Sequence, residues 1–164
     1  MKTLPPALAL AAALSACAAP ATTDSAHPHK AAAMSSQPTA TFASRYGFDQ
    51  TVDALASAIR GKGMTVFAVI DHQDAAKQAG LQMQPAKVII FGSPKAGTPL
   101  MVKDPLLALQ LPLKVLVTEQ DGRVTVAYTP AAELVKHSAV SEAEVAGTLA
   151  KAEILIRATV EQQQ

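Results

Sequence analysis

The sequence has no tryptophan, two tyrosines, four phenylalanines and a single cysteine in 164 residues. With 4% aromatic residues it lacks the stacking platforms on which proteins that bind single-stranded nucleic acid rely. An excess of positive charge is also missing, because 14 Lys and Arg are balanced by 13 Asp and Glu. One cysteine excludes an intramolecular disulfide and a zinc site built on several cysteines. We therefore expect no nucleic-acid partner.

What the chain does have is apolar residues, which make up 49% of it. Its length predicts one domain. No HExxH, GxSxG or CxxC motif and no nucleotide-binding fingerprint occurs. The sequence therefore favours a non-catalytic protein over an enzyme, and we expect no cofactor.

The first 17 residues have the three-part pattern of a secretory signal. Lys2 precedes an apolar run from Leu4 to Leu14, which is too short to cross a bilayer as a helix. A Leu-Ser-Ala-Cys motif that ends at Cys17 then resembles the bacterial lipoprotein signal. We expect cleavage before Cys17 and attachment of fatty chains to its sulfur, so that a lipid bilayer is a partner. The alternative is an ordinary cleaved signal with an unpaired cysteine.

The chain after the signal peptide (residues 1–16) predicts where the protein lies. Ala18 follows the cysteine, where Asp would favour the inner membrane, so we expect a lipid-anchored protein of the outer membrane facing the periplasm. Residues 17–40 are rich in Ala, Thr, Ser and Pro, a composition typical of a flexible tether. The folded domain is predicted over residues 41–160.

Strand patterns predominate in that domain. Alternation and β-branched residues predict strands over residues 39–46, 64–70, 87–91, 113–118 and 124–128. Segment 64–70 is apolar on both faces, which predicts an inner strand. Asp121-Gly122 predicts a two-residue hairpin turn between the last two strands.

Helix signals lie between and after the strands. Asp49 is predicted to cap a helix that ends near Gly61, and a short helix is predicted over residues 130–137. Ser141 and Glu144 form a capping box that opens one long C-terminal helix. Its buried stripe is predicted at Val145, Leu149, Ala152, Ile156 and Val160. Together these elements predict an α+β fold with a largely antiparallel sheet.

The leucine-rich segment 100–111 is broken by prolines well short of a membrane span. It is predicted to be a buried helix or an amphipathic cover, and an exposed partner or dimer surface is the alternative.

Several short motifs follow one another between Thr51 and Tyr128. They include Phe-Gly-x-Pro at residues 91–94, Gly-Thr-Pro-Leu at 97–100, Leu-Pro-Leu-Lys at 111–114 and Asp-Gly at 121–122. In this order the chain resembles the domain-of-unknown-function family numbered three hundred and two over most of residues 42–138. The resemblance implies a compact α+β domain that often pairs as a homodimer, and it implies no activity.

Two polar side chains are candidates for chemistry. His72 follows a predicted strand beside Asp71 and Asp74, where it could be a general base or a metal ligand. It could equally cap the next helix or hydrogen-bond a loop carbonyl. Lys114 shares a predicted strand face with Leu116, and a buried amine there would suit carbonyl chemistry or anion binding. The other interpretations are an edge lysine that deters aggregation and a lysine whose amine extends to water. An enzyme that uses either residue is the alternative function.

The segment from Gly92 to Pro99 is a candidate ligand wall. It lacks the lysine that a P-loop places directly after its second glycine, so we reject a P-loop. A tight turn that lines a pocket is one interpretation, and the other is that backbone geometry alone explains its two glycines and two prolines. The predicted contacts of a small-molecule ligand are Phe91, Gly92, Pro94, Gly97 and Thr98, with His72 and Lys114 as polar groups.

The tether carries two histidines, His27 and His29, that are weak candidate ligands for copper. A metal-handling lipoprotein is therefore a further alternative.

Overall fold

The computed structural model describes residues 39–161, which contain one five-stranded sheet and its helices. The strands are β1 (Ala40–Ala43), β2 (Thr65–Asp71), β3 (Ala86–Gly92), β4 (Leu113–Gln120) and β5 (Arg123–Tyr128). The helices are α1 (Phe48–Gly61), α2 (His72–Gln78), α3 (Pro94–Lys103), a 3-10 helix (Pro105–Leu109), α4 (Ala131–Val135), α5 (Glu142–Ala146) and α6 (Ala150–Val160). The predicted signal peptide, Cys17 and the tether with His27 and His29 lie outside the described residues.

The sheet is antiparallel throughout, in the order β1-β5-β4-β3-β2. Because side chains alternate along a strand, Ile89, Val115 and Val126 point to one face, where α1 and α6 cover them. α1 contributes Leu55 and Ile59 to this core. The predicted α+β fold with an antiparallel sheet is confirmed.

The predicted hairpin is also confirmed. Gln120 pairs with Arg123, which leaves a two-residue loop between β4 and β5. Asp121 and Gly122 have φ angles of 53° and 73°, as a type I′ turn requires. The Asp-Gly dipeptide therefore determines the turn.

The prediction that β2 is an inner strand is wrong, because β2 forms an edge of the sheet. A bulge between Val66 and Ala68 shifts its register, and Phe67, Val69 and Ile70 keep 50%, 43% and 41% of their surface exposed. An apolar pattern on both faces predicts that both are covered, and within residues 39–161 they are not.

Two helix predictions need correction. Asp49 does not cap α1, since the N-cap is Gly47; the Asp49 carboxylate instead binds Lys87 at 3.0 Å. The single long C-terminal helix is two helices, because the chain turns at residues 147–149 between α5 and α6. The capping pattern does occur, with the Glu144 carboxylate accepting from the Ser141 backbone N–H at 2.9 Å. All five predicted stripe residues are buried.

The segment predicted as a tight turn is helical from Pro94. A proline at the first helical position loses no hydrogen bond, so α3 begins directly after β3.

The leucine-rich segment is split between the two predicted roles. Leu100 and Leu107 join a second apolar cluster with α4 and α5, whereas Val102, Leu106 and Leu109 are exposed.

The sheet has a second face, on the side away from α1 and α6. Ile70, Val88, Leu116 and Ala127 lie side by side across four strands, in register. We call these four residues the open face; Ile70 is exposed, Val88 and Leu116 are half-buried and Ala127 is buried. None of the helices within residues 39–161 has the length and apolar character needed to cross a membrane.

Candidate functional site

A large apolar cavity lies at the end of the sheet where β3 ends and β4 begins. Its volume is about 840 Å³, within the range of sites that hold small molecules. The sheet contributes Gly92 of β3 and Leu113 of β4 to the lining, and Pro112, the residue before β4, also lines the cavity. A Cβ atom at Gly92 would lie 3.7 Å from both Phe67 and Pro112, so bare backbone forms the lining between these two side chains.

One wall of the cavity is α3. Pro94, Gly97, Thr98 and Met101 of this helix line it. Gly97 is buried, and a Cβ atom there would lie 3.6 Å from Leu111 Cδ1. The helix thus packs closely on the chain that follows it.

The opposite wall is one stripe of α6. Lys151, Ile154, Leu155 and Ala158 recur at spacings of three and four residues, so they share a helix face. From Lys151 to Ala158 the stripe extends about 10 Å along the helix axis. We call the whole space the α3–α6 cavity.

The remaining side of the α3–α6 cavity is the turn between α1 and β2. Gly63 has a φ of 75° and reverses the chain there, which brings Lys62 and Met64 to the lining. Phe67 of β2 also lines the cavity and is half exposed. Ile154 on the opposite side is 69% exposed, so two large apolar side chains reach solvent from the lining.

The charged side chains of the cavity lining are both positive. Lys62 and Lys151 are the charged residues in it, and it contains no carboxylate from the described part of the chain. Neither ammonium has a hydrogen-bond or ion-pair partner among residues 39–161.

Lys103, which ends the lining helix, differs because it binds Glu144 at 2.7 Å. That contact and the hydrogen bonds from Ser141 lower the pKa of Glu144 to about 2.

Most of the described chain matches a known protein family. The family model "Domain of unknown function DUF302" matches residues 40–157. The chain belongs to this family. The resemblance carried by the sequence motifs is therefore confirmed, and the match extends into α6, beyond the motifs.

A solved structure that carries the DUF302 name has a similar fold. The crystal structure of the uncharacterized conserved protein DUF302 from Bacillus stearothermophilus aligns with a TM-score of 0.56. The alignment covers 74% of this chain and 89% of that one, at 17% identity. At this identity the likeness shows the fold alone.

Curated relatives match over a shorter stretch. Proteins of Brucella suis biovar 1 and Brucella abortus biovar 1, both named fluoride-specific ion channel FluC 1, are 40% identical over 82 residues. This stretch is 50% of the present chain and 32% and 30% of theirs. The chain thus spans about a third of the length of these relatives.

Within the DUF302 domain, four predicted ligand contacts line the cavity: Gly92, Pro94, Gly97 and Thr98. Phe91 does not, because its side chain is buried in the main core, where it is 1% exposed. His72 and Lys114 also do not line it.

His72 lies at the opposite end of the sheet. It is the exposed first residue of α2, directly after Asp71, which pairs with Lys87 far from Gly92. Asp71 caps α2 by accepting from the Asp74 N–H at 2.9 Å. This hydrogen bond, with the charge of Lys87, lowers the pKa of Asp71.

Lys114 does share a sheet face with Leu116, as predicted, but it is exposed. Its Nζ donates to the backbone oxygen of Gln110 at 3.3 Å. The buried amine that carbonyl chemistry would need is therefore not formed at this position. The register also separates Lys114 from His72, so the structure does not bring the two polar candidates together.

Most of the lining was not predicted from the sequence, and Lys62, Phe67 and the α6 stripe are examples. A signal for the stripe exists, because α6 carries Ile154, Leu155 and Ala158 in addition to its core stripe. A helix with two apolar stripes has two contact surfaces. No comparable signal marks Lys62, whose neighbourhood depends on the tertiary fold.

Residues 39–161 contain no group of three or more His, Cys, Asp or Glu side chains that could hold a metal ion. The tether histidines His27 and His29 lie outside this part of the chain.

Proposed function

We propose that this DUF302 domain is a non-catalytic binding module that holds an apolar ligand in the α3–α6 cavity. The observation that carries the proposal is the cavity itself, about 840 Å³ and lined mainly by aliphatic side chains. An exposed apolar surface of this extent is unfavourable in water and marks a binding site. The hydroxyls of Ser93, Thr98 and Thr148 are the polar side chains besides the two lysines.

The lining favours binding over catalysis. A nucleophile needs a base within hydrogen-bond reach, and general acid–base chemistry needs a titratable group near neutral pH. No His, Asp, Glu or Cys of residues 39–161 is among the lining residues. The lining residues of the described chain therefore offer these hydroxyls no imidazole or carboxylate that would activate them.

A cavity-filling variant tests this proposal. Ala158 is an exposed lining residue of α6, so Ala158→Trp fills space without disturbing the core. We expect it to weaken binding of the neutral fluorophore N-phenyl-1-naphthylamine at least about tenfold. Ala75→Trp, on the exposed surface of α2 at the other end of the sheet, is the matched control. Equal binding by both variants would refute the site.

The lipid anchor is the second part of the proposal. The motif at Cys17 supports it, and so does the similarity to proteins named as ion channels, which work in membranes. The protein would then face the periplasm from the outer membrane. Cys17→Ser should move the protein from the membrane fraction to the soluble fraction of the bacterial host. A Cys17→Ser protein that stays with the membranes would show that acylation is not the attachment.

A homodimer is the third part. The open face supports it, because a second copy would cover the exposed Ile70 and the half-buried Val88 and Leu116. A sheet face in water normally carries polar residues. Lys114 and Thr118 do lie on this face, but between them Ile70, Val88 and Leu116 form an aliphatic row across three strands. The occupant we propose is a second copy of this chain.

A further inference from the structure

Resting on the proposed function, we infer that the ligand of the α3–α6 cavity is a long acyl chain with an anionic headgroup. The headgroup would contact Lys62 and Lys151, and the chain would lie along the α6 stripe. Such a molecule has two sources with the same chemistry, a free fatty acid and an anionic lipid of a bilayer.

The charges of the lining are the first argument. Two ammonium groups without a partner in residues 39–161, on an otherwise apolar cavity, attract an anion and leave a neutral ligand with no ionic contact. Lys87, Lys103 and Lys136 pair with carboxylates, whereas Lys77 and Lys114 have no ion pair but lie outside the cavity lining. Lys62 and Lys151 are thus available to a ligand.

The shape and softness of the lining are the second argument. From Lys151 the apolar stripe continues for two helical turns through Ile154 and Leu155 to Ala158. Met64 and Met101 lie among the lining residues, and methionine side chains adapt to flexible chains. A charged end near Lys151 and a long apolar path beyond it match an amphiphile better than a compact apolar molecule.

The absence of tryptophan from the chain gives a direct assay. Phe67→Trp, at a half-exposed position of the lining, places one fluorophore at the cavity. The full chain also carries Cys17→Ser, so that no acyl chain of its own is attached. We expect 9,10-dibromostearate to quench this tryptophan saturably, since bromine quenches at contact range. Ala75→Trp, far from the cavity, should stay unquenched at the same concentrations.

The headgroup contact is tested in the Phe67→Trp background. Lys62→Gln and Lys151→Gln should each weaken dibromostearate binding by roughly tenfold. Binding of the neutral 9,10-dibromostearyl alcohol should not change. Lys77→Gln removes an exposed cation of α2 that has no ion pair among residues 39–161, and it should leave both affinities unchanged. A chain-length series adds a second readout, in which each methylene tightens binding about fourfold until the cavity is full.

The two sources are separated by a second titration with vesicles of phosphatidylglycerol that has brominated acyl chains. Quenching by the vesicles as well as by free dibromostearate assigns the bilayer lipid as a source. Quenching by free dibromostearate alone assigns the fatty acid. Either result, with the lysine dependence, supports the inference.

The outcomes also separate this inference from the proposed function. If the alcohol and the carboxylate bind equally well and both lysine variants are silent, the anionic headgroup is refuted and the apolar binding module stands. If neither brominated amphiphile quenches Phe67→Trp and N-phenyl-1-naphthylamine also fails to bind, both are refuted.

Discussion

Small residues give the α3–α6 cavity its room, and Gly97 shows what this does to the helix that carries it. It lies inside α3, where a glycine destabilises a helix relative to alanine by about 0.5–1 kcal/mol. Its φ is not in the left-handed region, so glycine is not required by the backbone. A Cβ atom at this position would lie 3.6 Å from Leu111 and 3.8 Å from Met101.

Gly97→Ala should therefore stabilise the domain. Both contacts are at ordinary van der Waals distance, so the methyl group fits, and the helix gains about 0.5–1 kcal/mol. Urea denaturation followed by far-ultraviolet circular dichroism measures the change in the free energy of unfolding. A loss of stability would mean that the helix needs the bare backbone at this position.

A second residue-scale effect is the pH dependence that Glu144 brings. Its pKa is lowered from 4.5 to about 2 in the folded protein, first by Lys103 and then by Ser141. A carboxylate with a lowered pKa contributes stability above its unfolded pKa and loses that contribution as the pH falls through its folded pKa. The contribution is therefore complete above about pH 4.5 and disappears toward pH 2.

We expect Glu144→Gln to flatten this part of the stability profile. The free energy of unfolding of the unaltered protein should fall relative to that of Glu144→Gln as the pH goes from about 5 to about 2, which urea titrations at several pH values measure. Glu142→Gln is the control, because Glu142 lies in the same helix and forms no ion pair within residues 39–161. Parallel profiles for the unaltered protein and Glu144→Gln would contradict the assignment.

At the scale of elements, the hairpin signal predicted the structure correctly, some helix signals did not, and the tertiary arrangement could not be predicted. The β4–β5 hairpin was predictable because Asp121 and Gly122 determine the turn themselves. The edge position of β2 was not, because strand order depends on contacts far apart in the chain. For the same reason four residues on one side of the cavity were predicted, while the α6 stripe across from them was missed.

The hairpin makes a testable prediction of its own. Gly122→Ala places a Cβ on a residue with a φ of 73°, which should destabilise the domain by about 1–2 kcal/mol. Gly61→Ala is the matched control, since Gly61 ends α1 outside the left-handed region and has open space around it. Thermal unfolding should show a lowered midpoint for Gly122→Ala and no lowering for Gly61→Ala. Equal midpoints would mean that the turn does not constrain the fold.

At the scale of the whole domain, the cavity and the start of the described chain share one end of the sheet. Ala40 of β1 pairs with Tyr128, near the end where Phe91 pairs with Leu113. A chain anchored through Cys17 would enter the domain at the end that carries the α3–α6 cavity.

The open face lies on the side of the sheet away from α1 and α6, and it carries the last prediction. If two copies pair through it, Leu116→Glu puts a carboxylate into the centre of an apolar interface, where an unpaired charge is strongly unfavourable. Because Leu116 is only half-buried in the single copy, that copy should still fold with the change. We expect a dimer for the Cys17→Ser protein and a monomer for Cys17→Ser with Leu116→Glu, by size-exclusion chromatography with light scattering. Ser57→Glu, on the exposed side of α1, should leave the dimer intact. A monomeric Cys17→Ser protein, or a dimer that survives Leu116→Glu, would show that the open face is not where the copies meet.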